Sequence, residues 1–226
     1  SKYAMGKEIP YSDTDLLEAI HPLINLLNGR YLVVPSGIGL EPPVDRFTPV
    51  GEADNYRIYK NTQALPWFYL APRIQVVSDE DHALELLRSG QVDPSAVALV
   101  EEMLPFELTN PEDTYKDLVN VVEHNPPEGF IHLQTQSENA RILVVSENYQ
   151  SNWSVWVDGE PADMLRVNYV WKGVALPAGT HRVEFRYRSS ILLLSRAATA
   201  LCALFVVGLI AADVIRRRKW VSEGTE

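Results

Sequence analysis

Apolar and polar positions follow two different periods along this chain, and the change of period divides it. Leu16, Ile20, Leu23 and Leu27 recur at helical spacing, Asn28-Gly29 ends that stretch, and Tyr31 to Val34 follows as a short buried strand. Two further apolar runs cover Tyr56 to Tyr59 and Trp67 to Val77. Ser78-Asp79-Glu80-Asp81 then offers an N-cap with acids in the first turn, where they complement the helix dipole. The helix closes at Gly90, and Ala96 to Val100 returns as a strand, so this half reads as mixed α and β.

A polar, proline-bearing stretch from Pro105 to Glu112 precedes a second part that reads as strands over 117–123, 130–136, 141–147, 153–157, 160–167, 169–176 and 181–188. In the last hairpin Pro177-Ala178-Gly179 makes the turn, after which Val183, Phe185 and Tyr187 alternate with Arg182, Glu184, Arg186 and Arg188. That alternation predicts one apolar face and one solvated, charged face. Asp158-Gly159 supplies another tight turn, and strands at this spacing favour an antiparallel sandwich.

From Ile191 to Ile215 the period disappears into almost continuous Leu, Ile, Val, Ala and Phe. A helix of that length reaches about 37 Å, enough for a hydrocarbon core of about 30 Å. Arg216, Arg217, Arg218 and Lys219, with Trp220, follow as interface anchors and direct the C-terminus into the cytoplasm. The predicted fold class is therefore α+β: a small mixed α/β part over 1–112, an antiparallel β-sandwich over 113–190, one C-terminal transmembrane helix over 191–216 and a cytoplasmic tail over 217–226. Export of residues 1–190 needs a signal that SKYAMGKEIP does not provide, so the expected setting is a larger membrane protein with further sequence upstream. The expected partners are the lipid bilayer and upstream transmembrane helices of the same parent.

Charge narrows the partners further, because residues 1–190 hold 15 basic and 27 acidic side chains. Such an excess repels phosphate backbones and argues against nucleic acid. Cys202, the single cysteine, lies in the apolar run, so the outer part forms no disulfide. The five histidines show no metal-ligand spacing, and no phosphate loop, nucleophile elbow or cysteine nucleophile is present, so no metal, cofactor or catalytic residue is expected.

The segment LVVSENYQSNWSVWVDGEPADMLRVNYVWKGVALPAGTHRVEFRYR resembles the C-terminal extracytoplasmic region of the YfhO family of bacterial membrane proteins. The shared pattern is Ser146 to Tyr149, Trp153, Val157 to Gly159, Asn168-Tyr169 and Pro177 to Tyr187, with NLLNGRYLVV and LPWFYLAPRIQVVSDEDHALELL earlier in the chain. Ser151-Asn152 stands where the family usually has Pro-Gly; asparagine tolerates positive φ, so the turn is expected to survive. The resemblance implies a polytopic protein similar to membrane glycosyltransferases that use lipid-linked sugars and decorate cell-surface polymers. It also implies a catalytic acid in an early external loop outside this sequence, so none is carried over. The chain then reads as a non-catalytic extracytoplasmic domain that shapes the external site and binds cell-surface glycan. The alternative is a membrane-anchored binding or interaction module without enzymatic activity.

Three residues carry the binding hypotheses. In a strand, Trp156 faces opposite to Trp153 and Val155, so with Trp153 inside, Trp156 either stacks on a sugar ring or lies under neighbouring chain. Asp158 beside it offers a carboxylate to sugar hydroxyls. Arg196, one turn inside the apolar run, either snorkels to the headgroups or meets the phosphate of a lipid carrier. Asn152-Trp153-Ser154 has the form of a glycosylation sequon, which a bacterial setting leaves unused.

Overall fold

Strands, not helices, carry this fold. The computed structural model of the chain describes residues 23–37, 42–104, 106, 108, 114, 116–125, 128–188, 195 and 198–212. The chain divides into two units, Ser1–Arg186 and Tyr187–Glu226. In chain order the elements are α1 (Leu23–Leu26), β1 (Tyr31–Pro35), β2 (Phe47–Ala53), β3 (Tyr56–Asn61), β4 (Phe68–Ala71), β5 (Arg73–Val76), α2 (Glu80–Ser89) and β6 (Val97–Val100). They continue with β7 (Leu118–Asn125), β8 (Phe130–Ser137), β9 (Arg141–Asn148), β10 (Trp153–Val157), β11 (Glu160–Ala162), β12 (Leu165–Val167), β13 (Trp171–Leu176) and β14 (Gly179–Tyr187).

These strands form three sheets, ordered β1-β3-β2, β11-β10-β14-β8-β7 and β4-β9-β13-β12-β6-β5. The six-stranded sheet draws β4, β5 and β6 from before residue 112 and β9, β12 and β13 from after it. Strands β4 and β5 sit at its two ends yet are separated in sequence by Pro72 alone. One residue spans only about 3.5 Å, so the sheet must curl until its ends approach. Proline suits that corner because it has no N–H to leave unpaired.

The curl encloses a core of Tyr69, Ala71, Ala98, Val100, Ile142, Val144, Leu165, Val167 and Trp171, which Ala83 and Leu87 of α2 complete. Helix α2 forms as its sequence requires: the Asp79 side chain accepts from the His82 N–H at 2.9 Å, and Gly90 ends the helix at φ 69°. It joins the parallel pair β5 and β6. A second core lies where the five-stranded sheet covers β4, β9 and β13, with Ile131, Leu133, Leu143, Val145, Val155, Val174, Val183 and Phe185. The three-stranded sheet keeps a small core of its own around Val34, Phe47 and Tyr59.

The architecture corrects the predicted fold class. The chain is mostly β, and the expected α/β part does not stand apart from a sandwich, because one curled sheet takes strands from both. The segment read as one strand over 160–167 is two: β11 pairs with β10 in one sheet, and β12 pairs with β13 in the other. The predicted transmembrane helix is also corrected. Helix is present over 198–212, and among the described residues no helix is long and apolar enough to cross a membrane. Arg196, Arg216, Arg217, Arg218, Lys219 and Trp220 lie outside the described residues.

Two local expectations meet a different geometry. The turn before Trp153 closes through its N–H to the Gln150 carbonyl at 3.0 Å, and Asn152 is not among the residues at positive φ. Asparagine there needs no left-handed backbone, since the turn bends without one. On β14, Val183 and Phe185 are fully buried as the alternation predicts, yet Glu184, expected in solvent, is only 9% exposed. Arg182 at 3.0 Å and Arg186 both pair with it and lie across it.

Phe185→Ala should cost about 3–5 kcal/mol in chemical denaturation, whereas Gln134→Ala on the outer face should stay within about 0.5 kcal/mol. Equal losses would reject the register. Gly173→Ala should destabilise by about 1–3 kcal/mol, because a Cβ there meets the Leu143 carbonyl oxygen and Val167 Cγ2, each at 2.7 Å.

Candidate functional site

The outer face of the five-stranded sheet carries Trp156, one of the residues the sequence singled out. Trp153, Val155 and Val157 of β10 pack toward the second core, so Trp156 points the other way and is half-buried. The Arg186 guanidinium of the neighbouring strand lies 4.8 Å from the indole centroid, and Arg186 is itself paired with Glu184. Cation–π contact and ion pair together restrict both side chains. Hydrogen bonding from Arg186 holds the Glu184 carboxyl below its ordinary range, against a smaller upward push from burial.

Asp158 sits at the tip of the β10–β11 hairpin. Asp158 and Gly159 both have positive φ, 54° and 88°, the backbone of a two-residue turn whose twist matches the strands. Its carboxylate has local partners: Oδ1 accepts from the Arg182 N–H at 2.8 Å, and Oδ2 shares a 2.7 Å hydrogen bond with His181 Nδ1. The His181 bond first, then the Arg182 N–H, hold this carboxyl below its ordinary value. Asp158 therefore ties the hairpin to β14, and any hydroxyl it accepted from a ligand would share oxygens already bonded.

A second cluster, which sequence reasoning missed, joins the two sheets through Glu147. Its Oε2 accepts from Lys172 Nζ at 2.8 Å, and its Oε1 shares a 2.7 Å hydrogen bond with His124 Nε2. Lys172 is wholly buried, with its ammonium 3.2 Å from the Trp153 centroid. His124 packs against Phe68 and Trp67, with centroids 5.1 and 5.7 Å away. Burial pushes the Glu147 carboxyl up, but hydrogen bonds and charge from Lys172 and His124 outweigh it and hold the group low. Burial lowers Lys172 to about 8, offset in part by Glu147. Period-2 alternation did contain the signal, since Lys172 falls on the inward face with Val174 and Leu176, and Glu147 belongs to the Ser146–Tyr149 pattern.

The Asn168-Tyr169 pattern proves to be architectural. Both residues have positive φ, and buried Asn168 caps the neighbouring strand: its Oδ1 accepts from the Leu99 N–H at 2.9 Å, and its Nδ2 donates to the Tyr69 hydroxyl at 3.1 Å. Burial holds the Tyr69 phenol protonated well above its usual range. Among the described residues, no group of three or more His, Cys, Asp or Glu side chains is placed to hold a metal ion.

The Glu147 cluster generates a pH prediction with a definite sign. Because Lys172 is depressed to about 8 from 10.5, the cost of burying its charge is fully present below pH 8 and is relieved as pH rises toward 10.5. Its contribution to unfolding stability should rise by up to about 1.4 kcal/mol per pH unit across that window. Denaturant melts at several pH values should show this rise in the parent chain and its loss in Lys172→Met. Glu147 acts on the acid side: its contribution is present above the ordinary carboxylate range and disappears as pH falls through its lowered value.

No curated protein and no solved structure matches the chain. Residues 113–199, from just before β7 through β14 and into the following stretch, match a family model described as bacterial membrane protein YfhO. On that match, the part of the chain that holds the outer sheet face and the Glu147 cluster is similar to a segment of the YfhO family of bacterial membrane proteins.

Proposed function

We propose that this chain is a non-catalytic, extracytoplasmic part of a larger membrane protein resembling the glycosyltransferases that use lipid-linked sugars, and that it binds acceptor glycan on its outer sheet face. The observation that carries the binding reading is Trp156: an indole facing away from the core, half-exposed, and held by Arg186. A rigid aromatic face buries the apolar face of a pyranose at little entropic cost, while nearby charged groups accept and donate to its hydroxyls. The family match supports the membrane setting, and resemblance to lipid-linked-sugar enzymes supports a glycan as the ligand. Catalysis is assigned to other parts of such a protein, and the sandwich positions the acceptor.

One indole platform supports weak binding, with a Kd of about 1 mM, or about −4 kcal/mol. That strength suits a surface that guides a polymer and releases it. Titrating the chain with soluble cell-wall glycan fragments, followed by indole fluorescence, should give a saturable change that Trp156→Ala abolishes. A response identical in the parent and Trp156→Ala, or no response well above the millimolar range, would leave Trp156 as packing alone.

A further inference from the structure

We propose, resting on the glycan reading of Trp156, that the site is a row of side chains running across the five-stranded sheet, and that its ligand is an extended, unbranched glycan lying across the strands. The register supplies the row. Arg186 of β14 stands opposite Phe130 of β8, and Phe130 stands opposite Asn125 of β7. Residues directly opposite in an antiparallel ladder project on the same face. The Arg186 guanidinium over the indole connects Trp156 of β10 to that line. In strand order the face therefore reads Trp156, Arg186, Phe130, Asn125, with apolar rings alternating with hydrogen-bonding groups.

The spacing selects the ligand. Neighbouring strands lie about 4.8 Å apart, so Trp156 and Phe130, two strands removed, are separated by about 10 Å across the sheet. That exceeds the width of one sugar ring, so the two rings address different sugars of one chain. Each is half-buried and retains exposed surface. Phe130 is braced by His132, whose ring centroid lies 6.1 Å away. Between the two platforms Arg186 is anchored by Glu184, and a guanidinium has further N–H groups for hydroxyls. Asn125 carries both a donor and an acceptor at the far end. A protein partner on this face would have to desolvate the Arg182–Glu184–Arg186 ionic run, whereas glycan hydroxyls bond to it.

The test uses the full chain in detergent with cello- and malto-oligosaccharides from the monosaccharide to the hexasaccharide, read by calorimetry and indole fluorescence. Affinity in at least one series should rise about tenfold once the sugar chain reaches both rings. Phe130→Leu, which keeps apolar bulk and removes the flat ring, should erase that rise and leave monosaccharide affinity unchanged. An unchanged thermal unfolding curve for Phe130→Leu identifies the loss as one of binding. Equal affinity at every length, or a rise that survives Phe130→Leu, overturns the row and leaves single-ring binding at Trp156 standing. Absence of binding at every length in both series overturns the row and the glycan reading together.

Discussion

The structure depends on one strand serving two cores at once. In β9, Ile142 and Val144 enter the core enclosed by the curled sheet, while Leu143 and Val145 enter the core beneath the five-stranded sheet. All four are fully buried, so neither face of β9 can reach water. The strand is flanked by β4 and β13, which alternate in the same way between the two cores. Because the two cores share these backbones, a displacement in one is transmitted to the other through close-packed side chains. Gly173 on β13 marks how closely neighbouring strands of the curled sheet approach, since a Cβ there would meet the Leu143 carbonyl oxygen of β9 and Val167 Cγ2 of β12.

Where the two sheets meet, packing gives way to charge. Glu147, at the end of β9, bonds Lys172 from its own sheet and His124 from the other. A buried ammonium is costly unless it is paired and bonded, and this one has a carboxylate on one side and the Trp153 ring on the other. The same economy of local partners appears at Asp158 and Asn168, each of which spends its polar atoms on holding a neighbouring strand. In an acidic chain these motif residues act first as architecture.

The outer face of the five-stranded sheet combines order with accessibility. Arg186 links the indole on β10 to the charges on β14, and the register carries the line onward to β8 and β7. Rigid side chains lose little freedom on binding, so even shallow contacts contribute to affinity. That surface lies within residues 113–199, the stretch that matches the family model described as bacterial membrane protein YfhO.

Much of this was legible in the one-dimensional pattern, because it rests on local rules. The caps of α2, the Asp158-Gly159 turn, the alternation that buries Val183 and Phe185, and the opposition of Trp153 and Trp156 each follow from backbone geometry within a few residues. Tertiary structure decided the rest. Pro72 reads as a break in an apolar run, and only sheet order shows that it joins the two ends of one curled sheet. The 160–167 segment reads as one strand, and only pairing divides it between two sheets. The apolar run after residue 190 has the composition of a spanning helix, whereas among the described residues no helix is long and apolar enough to cross a membrane. Lys172 falls on an inward face by period alone, but that Glu147 and His124 meet it follows from long-range pairing. Local propensity acts over a few residues and is written in sequence; partners 23 and 25 positions away, as for Glu147, are chosen by the fold that brings their strands together.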